Sequence, residues 1–184
     1  MLQDLANYYF HQGLRLAKEN HITKALEQLK KATALQGENW QALNLQGLCF
    51  YELGDFSKAK GAWKRSLTCK NQENIASHYL GEMEQGDFED LCKEYNQALM
   101  LAKLKKYKKA IKILNSKEFA SIKITSFQNL LGLCYLAQGK KVKALHVWHQ
   151  ALKIDIDNPY TLRYIQESLG NLEEKSWFAK WFAG

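Results

Sequence analysis

The side chains whose type and spacing could do chemistry are few. His146 and His149 stand at i and i+3, a spacing at which two imidazoles on one helix can share a metal ion, but no third ligand lies nearby in sequence. The pair therefore reads as two surface residues. His11, His21 and His78 are scattered. Cys49, Cys69, Cys92 and Cys134 form no C-x-x-C pair and no metal-ligand spacing. With no basic start and no apolar h-region after Met1, they read as reduced thiols of a cytoplasmic protein. No Gly-rich phosphate loop, G-x-S-x-G elbow or H-E-x-x-H pattern occurs. The expectation is a binding protein and not an enzyme, with no catalytic residue, no metal and no cofactor.

The elements that carry these residues belong to a folded chain of 184 residues, 46% apolar and 24% charged. That length suits one ordinary domain or a short array of repeats. Its wholly apolar stretches, such as Ala98 to Ala102, fall far short of the ~20 residues that span a bilayer, so no transmembrane segment is expected. The net charge is +7, and 23 of the 26 bases are lysine. Arginine, whose planar fork pairs with guanine and phosphate, occurs only at Arg15, Arg65 and Arg163, which argues against sequence-specific nucleic-acid binding.

Internal repetition organises the chain. Asn44, Leu45, Gly47, Leu48, Cys49, Gly54, Lys58, Ala59, Trp63 and Leu67 all recur 85 residues later, as does Tyr79 at Tyr164. A shorter period of 34 links Gly13 to Gly47, Ala25 to Ala59 and Ala110 to Ala144. Apolar residues between these points follow helical spacing, and breaks fall near Asn20, Gly37, Gly54 and Gly139. Each period is therefore predicted to be two helices joined by a tight turn. The small residues let paired helices approach, while Phe50 and Trp63 fill the space between them.

At this density the pattern resembles the tetratricopeptide repeat family. Gly47, Phe50, Gly54, Phe56, Ala59 and Trp63 fall where that family places small and bulky residues, and Gly132, Tyr135, Gly139, Ala144, Trp148 and Ala151 do so again, followed by Pro159. The resemblance implies an all-α, right-handed α-solenoid of helix-turn-helix hairpins, read as two copies of a five-helix module within a single domain. Repeats are placed at 6–39, 40–73, 91–124 and 125–158, with an extra helix and junction at 74–90 and a capping helix and aromatic tail at 159–184. The first and third repeats are degenerate. Gly86-Asp87-Phe88 echoes Gly54-Asp55-Phe56, so 74–103 also reads as a worn hairpin.

Carrying over the family's groove-facing positions gives Asn7, Phe10 and Leu14 in the first repeat and Gln41, Asn44, Leu48 and Tyr51 in the second. The third contributes Tyr95 and Leu99, and the fourth Asn129, Leu133 and Leu136. Such a face is apolar enough to hold a peptide or helix of a partner protein, with the asparagines available to bond an extended backbone. The alternative is that these leucines are ordinary core. The groups that would clamp a C-terminal carboxylate in chaperone-binding relatives are missing, because Phe10 and Leu14 occupy their positions.

A second surface is basic. Lys105, Lys106, Lys108 and Lys109 surround one predicted turn, and Lys140 and Lys141 the equivalent turn of the next repeat, so both are expected on one edge. That edge would suit an anionic membrane or RNA backbone, against the plain alternative of a solvated turn. In the tail, Trp177 with Trp181 and Phe178 with Phe182 fall at i, i+4. They read as a cap, an interfacial anchor or the contact of a homo-oligomer. The leading expectation is a cytoplasmic protein-protein interaction scaffold.

Overall fold

In the computed structural model, which describes residues 1–170, helices form wherever small and large apolar residues alternate at helical spacing. The helices are α1 (Leu2–Lys18), α2 (Ile22–Leu35), α3 (Trp40–Leu53), α4 (Phe56–Cys69), α5 (Ala76–Glu84), α6 (Gly86–Lys103), α7 (Tyr107–Leu114), α8 (Lys117–Ser121), α9 (Thr125–Ala137), α10 (Lys141–Ile154) and α11 (Pro159–Leu169). No strand occurs among the described residues. The fold is an all-α helical repeat. The aromatic residues Trp177, Phe178, Trp181 and Phe182 lie outside the described residues.

Two compact units emerge. The first comprises residues 1–89 together with 153–157, the second residues 90–152 and those from Asn158 onward. In the first unit α1 pairs with α2 and α3 with α4. Its core is Ile22, Ala25, Leu26, Leu29, Ala32, Ala42 and Cys49, continued by Ala59, Trp63, Ala76, Leu80 and Met83. Helix starts are capped by side chains: Asn39 accepts from the Ala42 amide at 2.9 Å and Asp55 from the Lys58 amide at 3.2 Å. Each such cap contributes about 1 kcal/mol. α5 packs on α4, and Phe88 at the start of α6 closes the aromatic cluster of Tyr51, Phe56, Trp63 and Tyr79. The echo of Gly54-Asp55-Phe56 at 86–88 is thus one of packing. Gly54 turns with a φ of 86°, whereas Gly86 already sits inside α6.

Segment 153–157 completes the first unit. Asp155, fully buried, accepts from the Thr23 amide at 3.1 Å and the Thr23 hydroxyl at 2.6 Å, at the start of α2. The Ile156 amide donates to the Asn20 carbonyl at 2.9 Å. Asp157 Oδ2 lies 2.5 Å from His21 Nδ1, and Oδ1 lies 2.9 Å from Lys24 Nζ. Burial alone would raise the Asp157 pKa, but the bonds from Lys24 and His21 prevail and hold it below the ordinary value.

In the second unit α7 packs on α9, and α11 on α9. Leu133, Ala144, Trp148 and Tyr164 form its core cluster. Asn158 caps α11 by accepting from the Thr161 amide at 3.0 Å, with Pro159 in the first turn. One departure from a simple repetition of the first unit stands out. The single helix α2 has α7 and α8 as its counterpart, interrupted at Asn115 and Ser116. Asparagine and serine are weak helix formers. Asn115 also donates to the Tyr135 hydroxyl at 2.8 Å.

The hairpin turns share one backbone requirement. Asn20, Gly54, Lys105 and Gly139 all adopt positive φ, at 61°, 86°, 59° and 72°.

Candidate functional site

Close approach of paired helices positions the candidate groove. A Cβ on Gly47 would sit 2.1 Å from the Trp63 indole nitrogen, and one on Gly132 would sit 2.2 Å from that of Trp148. Glycine is therefore required for the indole to lie against the facing helix. The same nitrogens donate to backbone carbonyls, Trp63 to Asn44 at 3.1 Å and Trp148 to Asn129 at 3.4 Å. The α3–α4 and α9–α10 hairpins are thus each latched by a tryptophan whose only polar group is satisfied.

In the first unit α1 presents Asn7 exposed and Phe10 and Leu14 half-buried; α3 presents Gln41 exposed and Leu48 and Tyr51 half-buried. Phe10 rests on the core around Ile22 and Leu29. Leu48 and Tyr51 rest on the cluster of Trp63 and Met83, with the Tyr51 ring 5.5 Å from Phe56 and 6.0 Å from Phe88. Beside them Glu52 has its carboxyl pushed up by burial and then by Asp155. Asn44 is only 6% exposed. Its amide donates to the Asn74 side-chain oxygen at 2.8 Å, and Asn74 in turn donates to the Ser66 hydroxyl at 2.9 Å and the Lys70 carbonyl at 2.8 Å. Asn44 therefore ties α3 to the start of α5. Sequence reasoning passed over Asn74 and Ser66, which follow no repeat position quoted for the groove.

In the second unit Tyr95 and Leu99 on α6 are half-buried, as are Asn129 and Leu136 on α9. The Tyr95 ring lies 4.7 Å from Phe127, and burial raises its phenol pKa despite a hydrogen bond with Ser126. Asn129 accepts from the Thr161 hydroxyl at 2.9 Å. Leu133 is 3% exposed and packs with Trp148 and Tyr164, so it serves the core of its own unit. Cys49 and Cys134 are buried, and burial pushes both thiols up to about 12, far from a nucleophile's range.

Lys105, Lys106, Lys108, Lys109 and Lys140 are exposed and Lys141 is half-buried. Lys140 donates to the Gln138 side-chain oxygen at 2.7 Å. His146 and His149 are both exposed. Among the described residues no group of three or more His, Cys, Asp or Glu side chains could hold a metal ion, and no helix is long and apolar enough to cross a membrane.

Residues 10–72 match the family model described as tetratricopeptide repeat. No curated protein matches the chain. Among solved structures, the P58(IPK) TPR domain is 21% identical, with a TM-score of 0.51 over 89% of this chain; the match spans 45% of that domain. YrrB, described as a TPR protein with an unusual peptide-binding site, is 18% identical over 86% of this chain and 90% of its own, with a TM-score of 0.40. MamA from Desulfovibrio magneticus RS-1 is 20% identical over 90% of this chain and 84% of its own, with a TM-score of 0.38. Identities this low speak to fold alone. Glycine-seated tryptophans and left-handed hairpin turns accompany the match: residues 10–72 carry the tetratricopeptide repeat pattern, and the fold is that of a helical repeat.

Proposed function

We propose that the protein is an interaction scaffold that holds an apolar segment of a partner protein, and that the groove of the first unit is where it does so. One observation carries this reading. Phe10, Leu14, Leu48 and Tyr51 stand half-exposed on the first helices of two consecutive hairpins, each backed by a filled core. Exposed Asn7 and Gln41 flank them with groups that both donate and accept, suited to the backbone of an extended segment. Rigid hairpins keep these side chains in place before binding, so little conformational entropy is lost when a partner docks. In the second unit Tyr95, Leu99, Asn129 and Leu136 offer a smaller face of the same character. Binding and not catalysis is the activity this surface supports, and reduced thiols are consistent with a cytoplasmic setting.

The test is an affinity capture from host cytosol at two salt concentrations, comparing wild type with Leu14→Lys/Leu48→Lys. A protein held in both salts and lost with the variant supports the groove, provided the thermal midpoint of the variant stays within a few degrees. Calorimetry with segments of the captured protein then measures affinity, and a loss of roughly tenfold or more is expected for two buried charges at an apolar contact. Capture that ignores the variant would place binding elsewhere on the chain.

A further inference from the structure

The second unit carries a charge imbalance that the groove does not use. Between Tyr95 and Leu152 stand eleven lysines, no arginine and a single acid, Glu118. Lys105, Lys106, Lys108, Lys109, Lys140 and Lys141 make no ion pair among the described residues. α7 begins where the turn after α6 ends, and α9 ends where the turn before α10 begins. Because α7 packs against α9 as the next helix of a hairpin array, both turns fall on one edge of the unit.

Large apolar side chains stand among these lysines. Leu104, flanked by Lys103, Lys105 and Lys106, is 56% exposed, and Met100 one turn earlier is 55% exposed. Val142, between Lys141 and Lys143, is 81% exposed. A solvated turn explains the lysines and leaves the leucine and valine without a reason, since exposing them forgoes ~25 cal/mol per Å² of burial. A polyanion such as RNA would engage the ammonium groups alone, and it is best met by arginine, which this edge lacks. A bilayer with anionic headgroups uses both kinds of residue at once. Ammonium groups sit at headgroup level while short apolar side chains enter the boundary with the acyl chains.

We infer that this edge docks the second unit on an anionic lipid surface, with Leu104 and Val142 inserted and Lys105, Lys106, Lys140 and Lys141 on the headgroups. The full chain is sedimented with vesicles of phosphatidylserine mixed into phosphatidylcholine, and with phosphatidylcholine alone, at low and near-physiological salt. Binding is expected only with phosphatidylserine, weakening as salt rises. Lys105→Ala/Lys106→Ala/Lys140→Ala/Lys141→Ala should lower partitioning by at least about 100-fold, at the ~1 kcal/mol each lysine contributes near such a surface. Leu104→Ser/Val142→Ser keeps the charge and should lower it by at least about 100-fold, since several methylenes leave the bilayer and burial of each contributes ~0.8 kcal/mol. All six positions lie at the surface edge, and circular dichroism reports directly whether each variant stays folded. Absence of sedimentation with phosphatidylserine vesicles overturns the proposal. So does binding that ignores Leu104→Ser/Val142→Ser while polyuridine RNA or polyglutamate is held as tightly, because that pattern belongs to a polyanion reader. Leu14→Lys/Leu48→Lys should leave vesicle binding unchanged, which separates this edge from the groove.

Discussion

The two units carry the same latch and put it to different surroundings. Trp63 on Gly47 and Trp148 on Gly132 are 85 residues apart, and in both the indole nitrogen donates to an asparagine carbonyl. The side chains of those asparagines diverge. Asn44 is buried and bonded to Asn74, while Asn129 is half-buried and bonded to Thr161. The surfaces diverge further, since the lysine-rich stretch with its lone acid belongs to the second unit, while the Asp155 and Asp157 contacts belong to the first. Backbone contacts that tolerate no extra atom stay fixed across the two copies, and the side chains around them are free to take up separate tasks.

The comparison breaks first at the glycines. Gly47→Ala and Gly132→Ala should each destabilise by about 3 kcal/mol, because the new methyl would overlap an indole held in place on all sides. Calorimetric unfolding of both variants should show comparable drops of roughly 6–12 °C. A drop in only one would mean that the latches are not equivalent. A smaller effect sharpens the comparison. Trp63→Phe and Trp148→Phe keep much of the aromatic volume and remove the indole donor, at a cost of about 1 kcal/mol for the lost hydrogen bond. Trp63 donates at 3.1 Å and Trp148 at 3.4 Å, so the loss should be larger at Trp63. Chemical denaturation of the pair measures the difference.

The smallest expected effect belongs to the first unit alone. Asp157 has its carboxyl held below the ordinary value, so the stability it contributes is complete above pH ~4, the unfolded value, and is lost as pH falls through the folded one. Asp157→Asn should lower the thermal midpoint by roughly 1–2 °C at neutral pH, in line with a partly exposed ion pair. That difference should close as pH falls below the folded value. A gap that persists in strong acid would assign the effect to packing instead.

Much of the fold was legible because the latch needs particular letters. Glycine opposite tryptophan, alanine at close helix crossings and glycine or asparagine at left-handed turns recur with the repeat, so their spacing exposes it. What depends on the following element was hidden. Leu14, Leu48, Leu99 and Leu133 share one repeat position, yet only Leu133 is buried, since Trp148 and Tyr164 cover it. The split of α7 from α8 rests on Asn115 and Ser116, two residues that weaken a helix without announcing its end. The contacts of Asp155 and Asp157 with residues 21–24 join positions more than a hundred residues apart, and no period reports them. The apolar edge residues Leu104 and Val142 escaped notice among the lysines because exposure, and not spacing, sets them apart.

Of the left-handed hairpin turns, those at Gly54 and Gly139 use the residue that adopts positive φ freely, and Asn20 is a tolerated substitute. Lys105 is neither, and its backbone there gives up about 1 kcal/mol that glycine would recover. At this single codon folding and surface charge pull in opposite directions. Selection for heat tolerance would reach glycine there early and bleach a cation from the edge, whereas selection for the edge's partner keeps a slightly softer hinge between α6 and α7.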